Sequence, residues 1–143
     1  MAVERTLAIL KPDCVEKGLV GEVIRRIQDA GFTLCALRMK RLSVSEAEAF
    51  YAVHAKHPWF GKLIHFMSSG ACVPMVLEKD NAVASFRKLI GATDPAMAED
   101  GTIRREFGTS KGENIIHGSD SVGSGRRESL FFFSECEIIA NSA

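Results

Sequence analysis

The sequence has no excess of charge of either sign. Lys and Arg number 18, and so do Asp and Glu, so no overall basic field exists to hold nucleic acid or an anionic membrane. Any anion site must be local. Long apolar runs are missing too. None approaches the roughly 20 residues that a bilayer span needs, and Glu4 and Arg5 interrupt any would-be signal peptide. A cytoplasmic protein is the expectation. The cysteines are few and scattered: Cys14, Cys35, Cys72 and Cys136 form no CxxC pair and no Cys/His ligand spacing. Without an export signal, reduced and mostly buried thiols are expected. His54 and His57 stand three apart, but Pro58 follows and no third ligand has matching spacing, so a structural metal is not expected. Also absent are a Walker-type glycine loop, a dinucleotide fingerprint, a protein-kinase catalytic loop and a nucleophile elbow.

What remains is an ordinary globular composition, 143 residues with 46% apolar and 25% charged. That length fits one domain, residues 1–143, with a real core. "RTLAILK" reads as a buried strand closed by Pro12 and Asp13 in a loop. Val20, Val23, Ile24 and Ile27 recur at helical spacing, with Gly31 suited to the position past the helix end. A second strand is expected over 32–42. Ser45 with Glu48 forms a capping-box pattern before a helix that Pro58 stops or redirects. A short helix follows from Phe60 to about Gly70. "ACVPMVLE" then reads as a third strand in which Pro74 implies an edge, a bulge or an outward-facing amide. Asp80 or Asn81 caps a helix ending at Gly91. From Ala92 to Gly118 periodicity disappears, and an unpatterned segment of that length tends to be functional. A helix over about 121–130 and a strand around "FFFSECEII" complete the pattern. Strands separated by helices, with no internal repeat, give an α/β (α+β) two-layer sandwich with a ferredoxin-like arrangement as the leading topology.

Candidate chemistry centres on "NIIHGSDS". His117 stands among short polar residues, Gly118 permits close backbone approach, and a helix start follows whose free N–H groups favour an anion. In isolation this is a loop histidine with one polar contact. Its surroundings allow a general base, a metal ligand or a covalent nucleophile. A nucleophilic imidazole needs one nitrogen held by a partner, and Glu128, eleven residues on, is a candidate whose reach depends on how the chain folds back. Beside Arg126 and Arg127 it reads equally as a solvated helix carboxylate. A phosphoryl substrate would require cations, and Lys11, Arg87, Arg104 and Arg105 are available but dispersed. Trp59 and Phe60 read as core or as a platform for a base.

The segments "ERTLAILKPD", "FYAVHAKHPWF", "FMSSG", "LIGATDPAMAEDGTIRREF" and "NIIHGSDSV" span nearly the whole chain, and through them it resembles the nucleoside diphosphate kinases. The resemblance implies a ferredoxin-like sandwich with a mostly antiparallel four-stranded sheet covered by helices. It implies transfer of a γ-phosphate from a nucleoside triphosphate to a nucleoside diphosphate, in a ping-pong cycle with phosphohistidine at His117. It also implies Lys11, Tyr51, Arg87, Thr93 and Arg104 as phosphate and ribose contacts and Asn114 as a ribose hydroxyl partner. Glu128 and Ser119 are implied as the group orienting the histidine, and Trp59 with Leu63 as the base-stacking surface. Mg²⁺ would be held mainly by nucleotide phosphates and water. A homo-oligomer is implied, with the chain's short C-terminus favouring a tetramer over a hexamer. Trp59 replaces the usual Phe, Ala71 and Pro74 depart from the family pattern, and Gly123 and Gly125 are expected to loosen the helix carrying Glu128. An RNA-recognition module is the first alternative, disfavoured by zero net charge and the lack of an aromatic RNA-binding strand. An inactive scaffold is the second, disfavoured by the intact motif residues.

Overall fold

The computed structural model describes residues 3–142. Four strands, β1 (Val3–Leu10), β2 (Thr33–Leu37), β3 (Val73–Asp80) and β4 (Ile116–Gly118), form one antiparallel sheet in the order β2-β3-β1-β4. β1 is central: it pairs with β3 from Val3↔Asp80 to Leu10↔Val73 and with β4 from Ala8↔Gly118 to Leu10↔Ile116. The helices are α1 (Pro12–Glu16), α2 (Val20–Asp29), α3 (Val44–Phe50), α4 (Phe60–Met67), α5 (Ala82–Ile90), α6 (Ile103–Phe107), α7 (Val122–Phe132) and α8 (Glu135–Ala140). The order β1-α2-β2-β3-α5-β4 is the expected ferredoxin-like unit.

Burial explains why β1 reads as an unbroken apolar run. Ala8 and Leu10 pack with Val23, Ile27, Phe86 and Ile90, from α2 and α5. Leu7 and Ile9 point the other way and pack with Phe50, Met67, Phe132 and Ile138. Alternate side chains of a strand face opposite sides, so helices cover the sheet on both faces and leave β1 no polar side.

Several local expectations are corrected. The residues "FFFSECEII" form no strand: they end α7 and build α8, because Ser134 and Glu137 make a reciprocal capping box that starts a new helix. The fourth strand is Ile116–Gly118, too short to display a period, and it lies in the segment read as unpatterned. That segment also contains α6 and a 3-10 turn at Pro95–Met97. The capping box of α3 is Ser43 with Glu46, not Ser45 with Glu48, a register that turns Ala47 and Phe50 inward. α3 stops at Phe50, before Pro58, and a 3-10 turn at Ala52–His54 follows. Pro12 opens helix α1 rather than a loop, since its missing N–H costs nothing at a first helical position. Asn81 makes no side-chain cap on α5; Glu4 accepts from Val83 N–H instead, at 3.2 Å. Pro74 lies in an interior strand, which removes the edge reading. Its carbonyl accepts from Arg38 N–H at 3.2 Å, but proline has no N–H to return the second bond of that pair, and the β2–β3 pairing ends at Leu37↔Met75.

Candidate active site

Lys11 follows the end of β1, where its backbone N–H donates to Ile115 O at 2.8 Å. The side chain is buried and donates through Nζ to Asn114 Oδ1 at 2.8 Å, while Asn114 Nδ2 donates to Thr93 O at 2.9 Å. Three expected site residues, distant in sequence, thus form one hydrogen-bonded chain. Burial, with help from the Arg104 charge and against the pull of Asp13, pushes the Lys11 ammonium down from 10.5 to about 8. Arg104, on α6, donates to Gly91 O at 2.9 Å and Ile116 O at 2.8 Å, and its buried Nε meets no partner among the described residues. Burial and then the neighbouring Arg87 charge lower its guanidinium to about 10. Both cations are lowered chiefly by burial and secondarily by a neighbouring positive charge, and an anion placed between them would offset both costs.

His117 sits in β4, directly beside Ile9 in the β1–β4 ladder. Its Nε2 lies 2.8 Å from Glu128 Oε1, which also accepts from Ser119 Oγ at 2.8 Å. Ser119 Oγ in turn accepts from Leu7 N–H at 3.1 Å, so the serine is tied to β1. A carboxylate only accepts; Nε2 therefore carries the proton and Nδ1 the lone pair. Burial lowers the pKa of His117 below 6.5; the Glu128 bond and charge oppose this, and the charges of Lys11 and Arg104 reinforce it. The imidazole is neutral at neutral pH. Burial works to raise Glu128, but the hydrogen bond and charge of His117, the Ser119 bond and Arg127 hold it below its usual range. Glu128 therefore reaches the histidine despite the distance along α7.

Around this pair stand aromatic rings. Phe50 and Tyr51 meet the imidazole edge-on, with centroids at 5.5 and 6.1 Å. The Tyr51 hydroxyl is buried with no partner among the described residues, and burial raises its pKa, so it remains a donor. Tyr51 leads through His54, at 6.5 Å, to Trp59, at a further 5.2 Å. Trp59 precedes α4 and is 46% exposed, with His57 stacked on one face at 4.5 Å and 8°. Leu63 follows one helical turn later, its N–H donating to Trp59 O at 3.0 Å. Arg87 is exposed on α5, its charge acting on both Arg104 and Asp120.

Sequence reasoning missed three residues. Asp13 is buried and accepts from Ile115 N–H at 3.0 Å, although read only as a loop signal. Phe50 opens the segment "FYAVHAKHPWF", but the sequence assigns it no site role. Gly125 was read as a weakness. A Cβ there would stand 2.8 Å from Arg5 O and 3.5 Å from Thr6 Cα, so glycine is what lets α7 lie close against β1.

A neutral imidazole backed by a carboxylate and faced by buried cations, on this fold, defines an α/β enzyme of the phosphotransferase class. The sequence pattern of nucleoside diphosphate kinases matches residues 4–138. A relative named nucleoside diphosphate kinase, from Salinibacter ruber, is 64% identical over 142 residues, 99% of this chain and 100% of that protein. The solved nucleoside diphosphate kinase of Aquifex aeolicus superposes with a TM-score of 0.94 at 46% identity, covering 96% of this chain and 99% of that one. The halophilic enzyme of Halobacterium salinarum, solved in complex with CDP, gives a TM-score of 0.92 at 37% identity, over 96% of this chain and 91% of that one. The chain belongs to the nucleoside diphosphate kinase family. It is an enzyme that moves the γ-phosphate of a nucleoside triphosphate onto a nucleoside diphosphate.

Proposed function

We propose that the transfer proceeds in two halves through His117, and the observation that carries this is the Nε2 contact with Glu128, which leaves Nδ1 free to attack. In the first half the Nδ1 lone pair forms a bond to the γ-phosphorus as the bond from that phosphorus to the β-phosphate oxygen breaks. The electron pair of the broken bond leaves with the nucleoside diphosphate. In the second half a terminal phosphate oxygen of another nucleoside diphosphate takes the group and restores neutral His117. Splitting the transfer lets one pocket serve donor and acceptor in turn.

Lys11, Arg87 and Arg104 meet the phosphate oxygens, and the unpartnered Tyr51 hydroxyl donates to one of them. These groups act by positioning and charge, as phosphoryl transfer requires. Asn114 retains one amino hydrogen for a ribose hydroxyl, with Thr93 beside it on the phosphates. Ser119 and Glu128 orient the imidazole. The exposed face of Trp59, with Leu63, takes the base; a π-face is common to all bases, so selectivity among them is weak. The nucleotide found in the Halobacterium salinarum complex, CDP, is of the substrate class this site fits.

Mg²⁺ would enter on the nucleotide, because Lys11, Arg87 and Arg104 offer the site cations that hold phosphate oxygens rather than a metal ion. Its chemistry would be to neutralise charge on the β- and γ-phosphates. The chain works as one domain over residues 1–143, as a cytoplasmic homo-oligomer with the tetramer favoured. In support of assembly, the side chains of Leu37 and Met39, at and beyond the end of edge strand β2, are 45% and 60% exposed. Among the described residues no helix is long and apolar enough to cross a membrane.

Incubation with γ-labelled ATP and Mg²⁺ tests the reading. Wild type should take up acid-labile phosphate and surrender it to GDP, and His117→Ala should take none. An unlabelled wild type, or a labelled His117→Ala, overturns it.

A further inference from the structure

Ile115 has φ of +78°, a left-handed conformation that a β-branched side chain rarely adopts. Ile116 N–H donates back to Asn114 O at 2.9 Å, so Ile115 is the centre of a γ-turn of the strained, positive-φ kind. Such a turn persists only where its surroundings over-determine it. One element holding it is the Asp13 carboxylate, whose Oδ2 accepts from Ile115 N–H across 102 positions of sequence at 3.0 Å. The other is Lys11, whose backbone N–H donates to Ile115 O at 2.8 Å and whose Nζ holds Asn114 Oδ1 at 2.8 Å. Asp13 is buried at the start of α1, behind Pro12, and its second oxygen meets no partner among the described residues. A buried carboxylate is costly to keep, and this one is fixed two residues from Lys11 and by the turn that delivers His117.

We propose that Asp13 is a positioning residue for phosphoryl transfer: by holding the Ile115 turn in its strained conformation it sets the placement of Asn114 and His117 without touching substrate. The proposal rests on the phosphohistidine reading and deepens it. Asp13 acts on Lys11 as well. The charged and titratable groups acting on Lys11 are Asp13 from α1, Arg104 from α6 and His117 from β4. Of these only Asp13 favours the ammonium form on which phosphate binding depends.

The test measures single-turnover labelling of the protein by γ-labelled ATP, at varied ATP concentration and pH. Asp13→Ala should slow the saturating labelling rate by tenfold or more, with little change in the ATP concentration giving half the maximal rate. Ile115→Gly relieves the strain, so adding Asp13→Ala to it should slow labelling by no more than about threefold. Asp13→Asn keeps an oxygen for Ile115 N–H but loses the charge. Its plateau rate should stay within a few-fold of wild type, while the alkaline limb of its second-order labelling rate moves to lower pH. Full-rate labelling of Asp13→Ala, or an equal loss in both Ile115 backgrounds, overturns the proposal. If Asp13→Ala does not fold, a folded Asp13→Asn decides: tenfold slower labelling at its plateau, or an unmoved limb, contradicts the role. Wild type that takes no label defeats the phosphohistidine reading itself; a labelled wild type with an indifferent Asp13 defeats only this one.

Discussion

Gly125 lies against the Arg5 carbonyl so closely that a Cβ on it would stand 2.8 Å from the oxygen. This contact seats α7 on β1 and carries Glu128 to within 2.8 Å of His117. Gly123, two residues earlier, meets nothing within 4 Å of a built Cβ. Two glycines alike in the sequence therefore have opposite expected effects.

Gly125→Ala should cost about 1–3 kcal/mol, the range for forcing an atom into a packed interior. It should also reduce activity, because relief requires α7 to move. Gly123→Ala should stabilise by about 0.4–1 kcal/mol through the unfolded chain, with activity unchanged. Thermal melts of both variants, paired with initial rates, check this; a lower Tm for Gly123→Ala contradicts it.

Glu128→Gln should lower kcat/KM by roughly 10- to 100-fold, as expected when one partner of a reacting group is lost. The pH profile has a less obvious outcome. Glu128 raises the His117 pKa against burial, so without its charge the imidazole protonates at lower pH. In the proposed mechanism only the neutral ring attacks, so the acid limb of kcat/KM should shift to lower pH even as the plateau falls. A limb shifted upward contradicts the assignment.

Lys11 links the site to alkaline stability. Folded, it releases its proton near 8 rather than 10.5, so between those values the unfolded state binds more protons. Stability contributed by this residue therefore rises with pH across that window. Relative to Lys11→Met, wild type should gain up to about 3 kcal/mol from pH 8 to 10.5. Taking the difference removes the opposing effect of thiols that hold protons longer when folded, such as Cys72 at about 11. Denaturant titrations at several pH values measure it, and a flat difference contradicts a buried, depressed Lys11.

Trp59→Ala should raise KM for nucleoside diphosphates by about tenfold, within the 1–3 kcal/mol typical of base stacking. The saturating rate should change much less, because the proposed stacking on Trp59 leaves the reacting atoms untouched. Trp59→Phe should restore most of the affinity. A fall confined to kcat contradicts the stacking role.

Sequence made some of this legible and hid the rest for physical reasons. β1 and α2 announced themselves by apolar spacing, and "NIIHGSDS" by its crowding of short polar groups around an imidazole. β4 did not, since Ile116–Gly118 is too brief for any period. α8 reads as a strand because its apolar residues crowd together, and only the folded chain shows Ser134 and Glu137 capping a new helix there. Convergence was the least visible property. Lys11, Thr93 and Asn114 join through two hydrogen bonds that no local pattern encodes. Asp13 was hidden by company: after Pro12 it reads as a turn residue, and only the folded chain brings it to Ile115.

In the proposed mechanism Glu128 holds Nε2 of His117 so that Nδ1 takes the phosphate. The most direct test is ³¹P and ¹⁵N NMR of the ¹⁵N-histidine-labelled protein after reaction with ATP, which shows which ring nitrogen is bonded to phosphorus. A phosphorus coupling to Nδ1 of His117, lost on adding GDP, is the expected result. A coupling to Nε2, or phosphate on any other residue, contradicts it.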